Sequence, residues 1–201
     1  MAFYDLRTVL PAGWQAEILA LAERAEAKLL LPLSVTSREG DPTLRIRTLT
    51  VDGITVRDSL PWLFNFYKGL FHDLGQLGQQ EPLSTAQKDV YGAVLNVQRG
   101  SDMRYESHVD SNPLEDLLYV TDLPKGYDGE LVVANNAKAN SVEEIEADCS
   151  VVYPTEGNLV FFDARRFPHY VRPLVDPNAI RVVVAMNFYT PSCPESAPRR
   201  P

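Results

Sequence analysis

Between residues 88 and 190, short apolar runs are cut at close intervals by turn formers, and this pattern restricts the fold more than any other feature. The runs are Val90–Gln98, Leu117–Thr121, Glu130–Ala134, Cys149–Tyr153, Leu159–Phe162 and Arg181–Tyr189. Between them stand Arg99-Gly100-Ser101-Asp102, Asn112-Pro113, Asp128-Gly129, Glu156-Gly157-Asn158 and Asp176-Pro177-Asn178. Such residues supply the left-handed or fixed-φ backbone of tight reversals. Many short strands with frequent turns predict a sandwich or jelly roll.

The first part of the chain has a different character. Trp14 to Leu31 carries Ile18, Leu19, Leu21, Ala22, Ala25 and Leu29 at helical spacing, and Pro32 stops that helix. Leu44 to Val51 alternates, with Arg45 and Arg47 on one face, and reads as a strand. A second helix is expected from about Ser59 to Leu77, capped by Ser59 or Asp58, with Pro61 in its first turn and His72 on it. The expected fold is therefore mainly β with N-terminal α: a double-stranded β-helix (jelly-roll) core packed by about two helices. One domain spans 1–190, with 1–87 as helical support and flanking strands and 88–190 as the core. Residues 191–201 hold four prolines and no periodicity, and are expected to form a flexible tail.

Charge and composition narrow the partners. The 201 residues carry a net charge of −8, which argues against nucleic acid or an anionic membrane as principal partner. No apolar run approaches the roughly 20 residues that span a bilayer, and the first residues lack the plan of a secretion signal. Cys149 and Cys193, the only cysteines, are too few for a disulfide framework and suit reduced thiols in a cytoplasmic protein.

Of three histidines, two fall in a chemically meaningful arrangement, His108-Val109-Asp110 and, much later, His169. In a strand, residues i and i+2 share a face, so His108 and Asp110 can reach one metal while Val109 points away. Two imidazoles and one carboxylate can occupy one face of an octahedral ferrous ion and leave three positions open. Arg181 opens an apolar strand twelve residues after His169. A buried guanidinium needs an anion, and its planar fork matches a carboxylate. Metal and arginine together imply a dicarboxylate cosubstrate.

The chain here resembles the Fe(II)/2-oxoglutarate-dependent oxygenases, particularly the branch with the prolyl 4-hydroxylase-like enzymes. The similarity runs from about Tyr91 to Tyr189. It is carried by Tyr105-Glu106-Ser107-His108-Val109-Asp110, Leu118-Tyr119-Val120-Thr121-Asp122, Asp128-Gly129-Glu130-Leu131, Gly157-Asn158-Leu159-Val160-Phe161-Phe162, His169 and Arg181. The resemblance implies that His108, Asp110 and His169 hold Fe(II), that Arg181 binds the distal carboxylate of 2-oxoglutarate, and that Tyr119 hydrogen-bonds the same molecule. O2 is the other cosubstrate, and ascorbate a candidate reductant. Two positions depart from the family pattern: Gln98 stands where a tyrosine is frequent, and Val183 where Ser or Thr is common. The family's halogenating members have Gly or Ala at the place of Asp110, so the carboxylate here favours hydroxylation or a related oxidation.

Asn96, Tyr105, Ser111 and Asn187 are the candidate substrate contacts, with Tyr189 sharing the parity of Arg181 and Asn187. Arg165 and Arg166 read as a solvated pair, and Arg45 or Arg47 could pair a substrate carboxylate. The leading expectation is an enzyme that hydroxylates a small metabolite, a free amino acid or a derivative. The alternatives are a protein or peptide residue hydroxylase, a catalytically silent binding β-helix, and a zinc hydrolase in which Arg181 has no role.

Overall fold

The computed structural model describes residues 1–30, 37–38, 46–74 and 81–195. In chain order its elements are β1 (Ala2–Asp5), α1 (Trp14–Ala22), β2 (Glu26–Leu30), β3 (Ile46–Val51), α2 (Gly53–Ser59), α3 (Pro61–Leu74), β4 (Ser84–Thr85), β5 (Ala93–Arg99), β6 (Tyr105–His108), β7 (Leu114–Tyr119), β8 (Leu131–Ala134), α4 (Val142–Ala147), β9 (Cys149–Val152), β10 (Asn158–Phe162), β11 (His169–Val171) and β12 (Ile180–Tyr189). Eight strands form a major antiparallel sheet in the order β1-β10-β7-β12-β5-β3-β2, with β4 on β12. A minor sheet runs β6-β11-β8-β9. The two sheets face each other as a jelly roll, as the run of short strands predicts.

Alternation sorts the major sheet into two faces. Val182, Val184, Met186 and Phe188 of β12 pack with Leu118 and Leu95 against Ile18 and Leu21 of α1, Val56 of α2 and Leu63, Phe64 and Tyr67 of α3. Val183 and Ala185, one residue out of step, join Leu117, Tyr119, Val160 and Phe162 opposite Leu131, Val133 and Val171 of the minor sheet. Each large apolar side chain buried this way contributes about 1.5–3 kcal/mol. The helices thus brace one face, and the functional residues lie on the other, between the sheets.

The helix readings are corrected at three points. The helix expected to Leu31 ends at Ala22, and Glu26–Leu30 instead pairs with β3 from Glu26↔Thr50 to Leu30↔Ile46. A sheet edge that needs a hydrogen-bonding neighbour overrides local helical spacing here. The expected second helix is present as α3, with Pro61 in its first turn, and an unexpected short helix, α2, precedes it. Asp58 and Ser59, the expected caps of that helix, lie inside α2, which Asp52 caps by accepting from the amides of Ile54 and Thr55; Pro61 cannot prolong α2 and starts α3. α4 was not expected, although Ser141 caps it by accepting from Glu144 N at 3.2 Å, three residues along as in a capping motif.

Pro32, Leu44, Arg45 and the stretch 75–77 lie outside the described residues, as do the side chains of Arg47 and His72 and the tail from 196 onward. Within 191–195, Cys193 is buried and bridges Thr190, and the Glu195 carboxylate accepts from Gln87 N. Both cysteines are free thiols. Among the described residues no helix is long and apolar enough to cross a membrane.

Candidate metal and cosubstrate site

Pairing of β6 with β11 sets His108 directly opposite His169, with ring centroids 4.4 Å apart. Asp110 lies just past the end of β6, where its backbone N–H donates to Ala164 O at 2.9 Å. One ligand atom from each of the three residues falls within 4.8 Å of the others. Asp110 Oδ1 is 3.1 Å from His108 Nε2, and Oδ2 is 3.7 Å from His169 Nε2. The other ring nitrogens face backbone carbonyls: His108 Nδ1 is 2.6 Å from Glu106 O, and His169 Nδ1 is 3.0 Å from Phe167 O. A carbonyl only accepts, so each Nδ1 carries a proton and each Nε2 is the nitrogen that faces Asp110 and is left for a metal.

The two imidazoles differ in protonation. Burial and the neighbouring His108 pull His169 down to about 4, so it is neutral near pH 7. Burial alone would raise Asp110, but the hydrogen bond and charge of His108 hold it well below the carboxylate range. For His108, burial pulls down and the contacts with Asp110 outweigh it, a net upward shift. Two Nε2 donors and a carboxylate on one face are the donor set of a ferrous centre with open positions, and Fe(II) fits it.

The triad opens into a cavity of about 440 Å³ between the sheets. Among its described lining residues Arg181 is the only Lys or Arg, and it is 2% exposed. Its Nε and Nη2 are buried without a hydrogen-bond partner, as is the hydroxyl of Tyr119, whose ring centroid lies 5.3 Å from the guanidinium carbon. Burial pushes the Tyr119 phenol up, so it is a donor. Gly129, at φ 78°, makes the room: a Cβ there would meet Leu174 Cδ2 at 2.6 Å and Arg181 Cδ at 3.4 Å. An unpaired buried guanidinium is costly, and an anion that enters the cavity relieves the cost. The distal carboxylate of 2-oxoglutarate fits Arg181 and Tyr119 on this ground.

The other sequence candidates divide. Asn96, Tyr105 and Asn187 line the cavity with His108, Asp110 and Arg181. Ser111 does not; its carbonyl accepts from Arg165 Nη1 at 2.8 Å. Arg165 is thus half-buried and ties the loop before His169 to the Asp110 turn, rather than standing free in solvent. Tyr189 lies beyond the cavity, beside Leu83, Thr190 and Pro191. Gln98 braces two loops, its Nε2 donating to Met103 O and Arg172 O at 3.1 Å each.

Polar lining residues that escaped the sequence reading include Thr48, Thr50, Asp52, Asn112 and Glu115. Glu115 is the most consequential, with Oε2 3.8 Å from His169 Nε2. Burial and the adjacent Asp110 push its carboxyl well above the usual range. Its strand begins at Leu114 and not Leu117, so parity with Tyr119 was the available signal.

No family model and no curated protein matches the chain. Solved structures do. An oxidoreductase of the 2OG-Fe(II) oxygenase family from Burkholderia pseudomallei is 14% identical, with a TM-score of 0.63 over 94% of this chain and 84% of that one. A prolyl hydroxylase from Trichoplax adhaerens, in complex with a hypoxia-inducible-factor peptide, is 15% identical, with a TM-score of 0.64 over 94% and 84%. HygX from Streptomyces hygroscopicus, with nickel, 2-oxoglutarate and hygromycin B bound, is 11% identical, with a TM-score of 0.62 over 99% and 85%. The chain thus has the fold of the Fe(II)/2-oxoglutarate-dependent oxygenases, prolyl hydroxylases among them.

Proposed function

We propose that this protein is an Fe(II)- and 2-oxoglutarate-dependent dioxygenase that hydroxylates an unactivated C–H bond of a small metabolite. Succinate and CO2 are the coproducts, and a reducing cytoplasm is the setting that suits a ferrous site and two free thiols. The observation that carries the reading is Arg181, a buried guanidinium with two unpartnered nitrogens in the same cavity as the His108–Asp110–His169 triad. A hydrolytic zinc site has no use for such a cation, and a silent binding module has no use for the triad.

Bound iron would supply O2 activation coupled to oxidative decarboxylation of the cosubstrate. The chain's own residues then do the rest. His108, Asp110 and His169 hold the metal from one side and leave the cavity side open. Arg181 and Tyr119 fix the far carboxylate and so orient the near end of 2-oxoglutarate toward the metal. Leu117, Val183 and Ala185 dry the space between. Asn96, Tyr105 and Asn187 face the space left for the molecule to be oxidised. A cavity of about 440 Å³ is the size that encloses a metabolite such as an amino acid or a derivative.

The test is succinate release by purified protein with Fe(II), 2-oxoglutarate and O2, with mass spectrometry of a metabolite panel for a gain of one oxygen. Succinate formation that R181M abolishes supports the reading. Absence of succinate and of 2-oxoglutarate binding overturns it. Oxygen gain confined to the high-mass fraction of a lysate moves the substrate to a protein residue.

A further inference from the structure

Thr50 and Asn96 line the cavity but have no role in holding metal or 2-oxoglutarate. Their strands, β3 and β5, lie next to β12 in the major sheet. One cross-strand row runs Thr50, Asn96, Val183 and Tyr119 through β3, β5, β12 and β7. Asn96 and Thr50 therefore stand about 5 and 10 Å from Val183, on the side away from Tyr119. Thr50 is 8% exposed and its Oγ1 has no hydrogen-bond partner. Asn96 Oδ1, on its register partner, is likewise buried and unpartnered. Such atoms cost the folded state free energy, and a ligand group that pairs them recovers it.

Hydrogen-bond roles select that group. The amide oxygen only accepts, whereas the threonine hydroxyl both donates and accepts. A carboxylate or a ketone cannot donate to Asn96 Oδ1. An ammonium can, but it would be buried against two neutral dipoles. The nearest lining carboxylate along β3, Asp52, is already committed to the amides of Ile54 and Thr55. A hydroxyl needs no counter-ion, and its single oxygen accepts from Thr50 while its hydrogen goes to Asn96.

We propose that Thr50 and Asn96 form a specificity subsite for an uncharged hydroxyl group of the molecule to be oxidised. The substrate class is a small hydroxylated metabolite. This assignment rests on the oxygenase reading of the same cavity.

The experiment uses the full chain and begins without ligand. T50V removes an unpaired oxygen at nearly constant shape, so the apo variant should melt at or above the wild-type temperature. A clearly lower melting temperature would mean that the protein itself satisfies this hydroxyl, and the subsite falls. Calorimetry then follows with Ni(II), a redox-silent stand-in for iron, and 2-oxoglutarate bound. It compares D-glucose, D-ribose and L-homoserine with 6-deoxy-D-glucose, 2-deoxy-D-ribose and L-2-aminobutyrate. At least one hydroxyl compound should bind about tenfold or more tightly than its deoxy counterpart. T50V and N96L should each cut that preference several-fold, and T50S, which keeps the hydroxyl, should retain it. If N96L does not fold, T50V and T50S decide. The 2-oxoglutarate affinity should stay within about twofold of wild type; a larger loss in T50V would reassign the pair to the cosubstrate and overturn the proposal. Failure of the wild type to bind 2-oxoglutarate sinks the oxygenase reading itself. Normal 2-oxoglutarate binding with no hydroxyl compound preferred, or with the preference intact in T50V, overturns the hydroxyl subsite alone.

Discussion

The two faces of β7 and β12 have had opposite fates, although their residues alternate along the same backbone. Toward the helices the strands present Leu114, Leu118, Val182, Val184, Met186 and Phe188, all closed into the apolar core. Toward the cavity they present Glu115, Arg181 and Asn187 among smaller apolar residues. Buried polar atoms without partners gather on or beside the cavity face: Arg181 Nε and Nη2, Tyr119 Oη, Asn96 Oδ1 and Thr50 Oγ1. Asp116 is the counterexample, a fully buried carboxyl of helix-side parity with neither oxygen partnered. Unsatisfied polarity is tolerable where a ligand completes it. Where none can enter, the group must lose its charge.

The largest test of the contrast is D110A, which takes one of the three ligands from the cavity face. Metal affinity should fall by more than about a hundredfold, beyond the usual effect of losing an outer-shell partner, and succinate release should cease. Calorimetry with Ni(II) checks the first and a coupled succinate assay the second. Unchanged activity would remove Asp110 from the ligand set.

Next comes a matched pair. R181M should weaken 2-oxoglutarate binding by about 10- to 150-fold, equivalent to about 1.5–3 kcal/mol for charged hydrogen bonds, yet leave the melting temperature of the apo protein unchanged or higher. L118A, on the helix face, should do the reverse. It should cost about 2–5 kcal/mol of stability by opening a cavity in the core while the folded protein keeps its 2-oxoglutarate affinity. If both variants lose stability and binding alike, the functional separation of the faces is wrong.

Y119F, losing one hydroxyl donor, should raise the 2-oxoglutarate dissociation constant by less than about tenfold, as for a single neutral hydrogen bond. The smallest effect concerns Asp116. Burial raises its folded-state carboxyl well above the ordinary 3.8, so the folded chain holds the proton more tightly than the unfolded one. Its contribution to stability is therefore best below the unfolded value and is lost as pH rises from there toward the folded value. D116N should accordingly raise the unfolding free energy near pH 7 by on the order of 1–3 kcal/mol, read as a higher melting temperature, with the gain shrinking as pH falls toward 4. A gain independent of pH would show that charge is not the cause.

Legibility from the sequence followed the range of the interactions involved. The β-rich half was readable because alternation and turn residues act locally, and Leu159–Phe162 and Arg181–Tyr189 each match their strands to within one residue. The N-terminal half was harder. Glu26–Leu30 has helical spacing but becomes a strand through its pairing with β3. At the site, the ligand types and Arg181 stood out because such residues are costly inside a protein. Glu115, Thr48 and Thr50 did not, since an ordinary Glu or Thr in a strand becomes a cavity residue only through the register of its neighbours.

The amino-acid sequence alone pointed to the jelly-roll class, to His108, Asp110 and His169 as candidate donors and to the demand of Arg181 for an anion, because alternation, residue type and the family resemblance are all carried by the order of residues along the chain. Tertiary structure alone decided which residues share the cavity. It carried Asn187 and Glu115 into one pair, turned Ser111 aside to Arg165, and sent Tyr189 past the rim. Those outcomes depend on cross-strand register and on the stacking of two sheets, which are set by contacts between residues far apart in the chain.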